Sequence, residues 1–326
     1  MSVGAFDPSV EGAAAADAVS IAAGEVEARS PLQLFWRRFR SDRVAMGSAI
    51  IIVLLILMAI FAGPITSILG LPGPNTENIN LTDAFGTPLG PTSGHPFGVD
   101  PLGEDVLSRV IYGARVSLEV GIIGTFLSTF LGVVGGLVAG YYGGWVDTLL
   151  SRIADVVLSF PILILGLGIA SACSVNGCLG GLITPGVTTI IFIIVISAWT
   201  YIYRITRGQV LSLREKEFVE AARSLGASNR RIMFREILPN LIAPVIVYSS
   251  LLIPSNILFE AALSFLGVGI RPPTASWGSM IADASDKFTI EWWYMVFPGA
   301  ALLITVLAFN LVGDGLQDAL NPKADR

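Results

Sequence analysis

EAARSLGASNRRIMFREILPN, residues 220–240, is a charged helix–break–helix stretch set inside an otherwise oily chain. A stretch that merely joins membrane spans has no need of this design. Phe218, Ala222 and Leu225 fall at i, i+4 and i+7, which predicts one apolar helical face, with Glu220 and Arg223 lying off it. Ala221 and Ala222 are small enough to let another backbone come close. Gly226 suits a left-handed turn that ends the first helix. Ser228 then caps a second helix, which Pro239 is expected to close. The product is a short, stiff knob shaped for a socket on another protein. The competing reading is an ordinary amphipathic helix lying at a membrane interface.

Outward from the knob, the chain is built for a bilayer. Of its 326 residues 53% are hydrophobic and only 14% charged, against roughly a quarter charged in soluble domains. Uncharged runs of about twenty residues are long enough to cross the hydrocarbon. They predict spans at 44–69, ended by Gly63-Pro64, between Glu119 and Asp147, at 150–171, 186–205, 242–266 and 292–313. Ser159-Phe160-Pro161 predicts a kink in the third. The expected fold is therefore an all-α membrane protein of six transmembrane helices. Sixteen Lys and Arg fall on the side of the knob and both termini, against Arg109, Arg115, Arg271 and Lys287 on the other. That asymmetry predicts cytoplasmic termini and a cytoplasmic knob.

Residues 1–30, rich in Ala, Gly, Asp and Glu without apolar period, are expected to be a disordered cytoplasmic tail. They lack the basic and apolar regions of a secretory signal. Residues 31–43, with aromatics among arginines, predict an interfacial helix. This helix, the first span and an extracytoplasmic loop make up a unit of residues 31–110. Residues 111–326 form a five-helix core that carries the knob in a loop at about 207–240.

The knob also carries a resemblance. Glu220-Ala221-Ala222, then Gly226, then Ile237-Leu238-Pro239 resembles the EAA loop of ABC importer permeases. Residues 96–118, 262–278 and 310–322 resemble three further blocks of the dipeptide/oligopeptide subfamily. Val99, Glu104, Glu236 and Gln317 depart from its usual residues, which bears on cargo rather than architecture. The resemblance implies a type I ABC importer transmembrane domain in the cell membrane. It also implies a homologous permease partner in a heterodimer, two ABC ATPase subunits and an extracytoplasmic solute-binding protein. Coupling to the ATPases falls on Glu220, Ala221, Ala222, Leu225 and Gly226. The implied cargo is peptide, with nickel chelate or another small solute as the alternative.

An enzyme is disfavoured. None of the three lysines, Lys216, Lys287 and Lys323, closes a P-loop, so ATP and Mg are expected to be bound by partner subunits, with no cofactor in this chain. His95, the only histidine, is expected to pack or be solvated rather than catalyse. One His and two Cys fall short of a metal site. Cys173 and Cys178 lie in an expected outer turn, either as a disulfide or as two free thiols. Asn256, Glu260 and Ser264 share a face of the fifth span. They either line a passage or make interhelical hydrogen bonds. Asn310 and Asp314 repeat that spacing and favour the hydrogen-bonding role. An ion-driven secondary transporter would be expected to show inverted repeats and broken, charged helices, neither of which is clear.

Overall fold

The fold is that of a computed structural model describing residues 31–83 and 86–320. The expected tail at 1–30 lies outside the described residues. Helix α1, Pro31–Ser41, buries Phe39 against Ala45 and Ala319. Asp42 follows it and caps α2, Arg43–Ile60, accepting from the amides of Val44 and Ala45 at 2.9 and 3.0 Å. The helix hitches at Phe61 and resumes as α3, Ala62–Ile68. Gly63-Pro64 does not end it, because a proline in a first turn forfeits no intrahelical bond.

A long loop leads to Asp105, whose carboxylate accepts from the Ser108 amide at 2.7 Å and starts α4, Val106–Tyr142. This span begins well before Glu119. Ser108, Arg109 and Ser117 are buried and hydrogen-bonded, so a search for an uncharged run understates the helix. α5, Gly144–Ser159, and α6, Ile162–Ala172, meet at an 87° bend. Pro161 forces Phe160 out of helical geometry to φ −89°, ψ 135°. The expected third span is thus two short helices. Five helices are long and apolar enough to cross a membrane, or six if this bent pair counts as one span.

Cys173 and Cys178 are joined by a disulfide, with Cα atoms 4.9 Å apart. α7, Val187–Leu213, packs along α4. Gly132, Gly136 and Gly140 of α4 leave no room for a side chain: a Cβ there would meet Ile202, Thr206 and Val210 at 2.6–2.8 Å. α8, Glu217–Ser224, is the first arm of the knob. α9, Asn229–Phe265, follows without interruption. Pro239 does not close it. A π-helical stretch, Ile232–Ile237, precedes the proline and widens the turn where its ring and missing N–H would break an α-helix. α10, Trp277–Ala284, is started by a reciprocal Ser276–Ser279 capping box, and α11, Trp292–Leu320, completes the described chain. Among the described residues there are isolated bridges but no strands.

Many large apolar side chains face outward, among them Leu54, Phe126, Phe130 and Leu303. Water cannot be the medium around such a surface. The interior holds separate apolar clusters along the bundle. One, built on Val219, Ile232, Met233, Ile237 and Leu137, lies at the knob end. Another, built on Val106, Met280, Trp293 and Tyr294, lies at the opposite end.

Candidate coupling site

The knob is a local structure first. Glu217 and Glu220 sit in the first turn of α8 and Arg223 in its last, each sign matched to the helix dipole. Gly226 has φ +79°. Its amide donates to Arg223 O and the Ala227 amide to Ala222 O, both at 3.0 Å. That pair of bonds is a Schellman closure, which a left-handed glycine permits. Ser228 caps the next helix, its Oγ accepting from the Arg231 amide at 3.4 Å.

The seat of the knob differs from the expected stripe. Val219 is fully buried and Ala222 packs beside it on the cluster of Ile232, Met233 and Ile237. Phe218 is 39% exposed and Leu225 88% exposed. The reason is length: α8 ends at Ser224, so Leu225 stands beyond it as the C-cap and i+7 spacing no longer applies. Glu220, Ala221 and Gly226 are exposed as well. The outer face of the knob therefore offers a carboxylate, a small residue, a glycine and one large apolar side chain.

The frame beneath it is tied at several points. Tyr141 donates to Asn229 Oδ1 at 2.9 Å, pinning the start of α9 to α4. Arg214 Nη1 donates to the Gly140 carbonyl at 2.9 Å, near the end of α4. α5 is strapped to α7 by Asp147 with Arg207, by Ser151 with Tyr203 at 2.9 Å, and by Asp155 with Arg204 at 2.7 Å. None of these straps was apparent from the sequence, because each joins residues about fifty or more apart.

Asn256, Glu260 and Ser264 are enclosed by the chain, 6%, 0% and 4% exposed. Asn256 Nδ2 donates to Thr125 Oγ1 at 2.8 Å. Glu260 accepts from Ser117 of α4, Ser264 of its own helix and Ser276 before α10, at 3.2, 2.8 and 3.0 Å. These bonds tie α9 to α4 and to the segment before α10, and they enclose the three side chains within this chain. Asn310 is half-buried and Asp314 exposed.

The end opposite the knob carries a buried ionic cap that sequence reasoning missed. Arg109 pairs with Glu104 and donates to the Pro74 carbonyl at 3.2 Å. Asp100 Oδ1 accepts from the amides of Leu102 and Glu104, both at 2.9 Å. Burial pushes the Asp100 carboxyl up to about 6, against the pull of Arg109. Burial raises Asp283 and Glu291 as well. Trp293 Nε1 donates to the Val99 carbonyl at 3.0 Å. His95 Nδ1 lies 2.8 Å from Oδ2 of Asp105, the α4 cap. The one legible signal was Asp105 and Ser108 ahead of an apolar run, which marks a helix start. Among the described residues no group of three His, Cys, Asp or Glu is arranged to hold a metal.

Residues 132–326 match the family described as binding-protein-dependent transport system inner membrane component. Residues 30–83 match the N-terminal TM domain of oligopeptide transport permease C. The chain is 42% identical over 297 residues to the glutathione transport system permease protein GsiD of Escherichia coli (strain 536), covering 91% of this chain and 92% of that one. It has the same identity and coverage to GsiD of Shigella sonnei. In fold it is similar to a chain of the MetNI methionine ABC transporter in an inward-facing conformation, with TM-score 0.53 and 18% identity over 65% of this chain and 96% of that chain.

Proposed function

The chain belongs to the family of binding-protein-dependent transport system inner-membrane components, and on that premise we propose that it is one of two unlike permease subunits in an ATP-driven importer of small peptides. As a permease of an ABC importer it works with ATPase subunits and a binding protein. The second, homologous permease is our inference. So is the orientation, with termini and knob in the cytoplasm. Peptide cargo of the size of glutathione is the reading we favour, because a relative sharing 42% identity carries that cargo in its name.

This chain would catalyse nothing itself; ATP and Mg belong to the partner ATPases. Its part is mechanical. The exposed face from Glu220 to Gly226 would enter a socket on an ATPase, Leu225 filling an apolar recess and Glu220 meeting a basic group. Closure of the ATPases on ATP would then move α8. Val219 and Ala222, seated on Ile232 and Ile237, would carry that motion into α9, and the Asp147–Arg207 strap would carry α5 with α7. The two permeases would thereby turn their passage from inward-facing to outward-facing. The observation that carries this reading is a rigid knob whose inner face is buried and whose tip, Leu225, is 88% exposed.

The test is a photo-crosslinker at positions 220–226 in the purified complex, combined with uptake of di- to oligopeptides and nickel chelates by the reconstituted transporter. We expect capture of the ATPase and ATP-dependent peptide uptake. Uptake at full rate without nucleotide would refute the proposal, and a preference for chelates would replace the cargo.

A further inference from the structure

A groove opens on the bundle's flank where the knob ends of α4 and α9 diverge. It has a volume of 530 Å³ and is lined by Phe126, Phe130, Val134, Met233 and Phe234, with Arg230 and Tyr142 at one end. From Phe126 to Tyr142 it follows α4 for ~24 Å at 1.5 Å per residue. One leaflet, half of a bilayer of about 40–45 Å with headgroups, is of that depth. Trp145, 76% exposed, lies just past Tyr142, and such aromatics sit at headgroup level. Arg230 is the one charged residue lining the groove, and it has no ion-pair partner among the described residues. Arg231 and Arg235, both exposed, stand on the same short stretch. The π-helical stretch brings Met233 and Phe234 together into the wall, and π turns mark functional sites more often than chance.

We propose that this groove binds one anionic phospholipid of the inner leaflet, its phosphate on Arg230 and an acyl chain along Phe130 towards Phe126. The charge fits: a guanidinium at the headgroup level is a phosphate ligand, while the remaining lining is apolar apart from Thr129 and the Tyr142 hydroxyl. The length and the apolar lining fit an acyl chain; a neighbouring polypeptide on the same groove is the outcome that the crosslink below separates. The site lies on the same π turn that supports the knob, so the lipid would brace the joint through which α8 moves α9. The proposal rests on the orientation given above.

The test is lipid retention by the whole transporter, purified in mild detergent from membranes containing phosphatidylglycerol and read by native mass spectrometry. The wild type is expected to keep phosphatidylglycerol, Arg230→Lys to keep it, and Arg230→Glu and Val134→Trp each to lose at least about tenfold in occupancy, ~1.4 kcal/mol. A photo-crosslinker at Phe130 is expected to yield a lipid adduct, which keeps the proposal testable should Arg230→Glu not assemble. Unchanged retention in both variants, or a crosslink from Phe130 only to another polypeptide, overturns it. Retained lipid without ATPase capture at 220–226 would sink the coupling reading alone. Capture without retention would sink the lipid site alone.

Discussion

The knob and the ionic cap sit at opposite ends of the bundle, and each turns on a left-handed glycine, yet they are built in contrary ways. Gly226 at φ +79° has open space where a Cβ would stand, whereas a Cβ on Gly103 at φ +74° would collide with the Asn78 carbonyl. The knob is held by bonds between near neighbours and by one buried face. The cap is held by groups distant in the chain: Trp293 on Val99, Ser108 on the Pro72 carbonyl, Arg109 on that of Pro74. A local device is free to present its surface to a partner. A long-range device is committed to closing its own end.

The same substitution at the two glycines should separate these roles most sharply. Gly103→Val forces apart two backbone segments and is expected to cost more than about 3 kcal/mol. No assembled permease should be recovered from membranes; normal yield would mean that the cap is not structural. Gly226→Val meets only the strain of a left-handed β-branched residue, ~1–2 kcal/mol. It should assemble and lose uptake while ATP hydrolysis persists. Glu220→Lys should behave likewise, with uptake down by about tenfold, ~1.4 kcal/mol of coupling. Wild-type uptake by either variant would detach the knob from transport.

A smaller effect is expected between the two ends, at the strap. Asp147→Arg should reduce uptake about fivefold, ~1 kcal/mol for a half-buried pair, and the exchange Asp147→Arg with Arg207→Asp should restore part of it. No rescue in the double variant would reduce the pair to a surface ornament. The smallest effect belongs to pH at the cap. Asp100 titrates at about 6 when folded against 3.8 otherwise, so the folded cap holds an extra proton in between. Its stability is therefore greatest below that window and falls as pH rises through it. Amide protection over residues 98–109 should be higher at pH 5 than at pH 7.5, and Asp100→Asn should flatten the difference. Equal protection in the wild type would place the carboxyl's titration elsewhere.

What was legible in the sequence follows the same division. Gly226, Ser228 and the small pair Ala221-Ala222 speak through local rules, so the knob's outline could be read from its own residues. Its seat could not, because Val219 rather than Leu225 faces inward and only the length of α8 decides that. The spans were legible where charge is absent. The burial of Arg109 at the start of α4 was not, since its partners, the Glu104 carboxylate and the Pro74 carbonyl, lie outside the helix. Pro239 misled because the π stretch that accommodates it carries no composition of its own. Glu260 shares a helix face with Asn256 and Ser264, but its three serine donors come from three parts of the chain, so their convergence could not be read from spacing.

The bend at Phe160-Pro161 has a consequence for the medium around it. Gly166 of α6 approaches Ile193 near one end of α7, and Asp155 of α5 reaches Arg204 towards the other, so the corner stands opposite the middle of the span. No side chain caps the first turn of α6, and Phe160, Ile162 and Ile164 around it are about half exposed or more. Hydrocarbon does not tolerate uncapped amides. In a bilayer, the first-turn amides at that corner would need water or a neighbouring backbone as partners, even though the side chains around them are apolar.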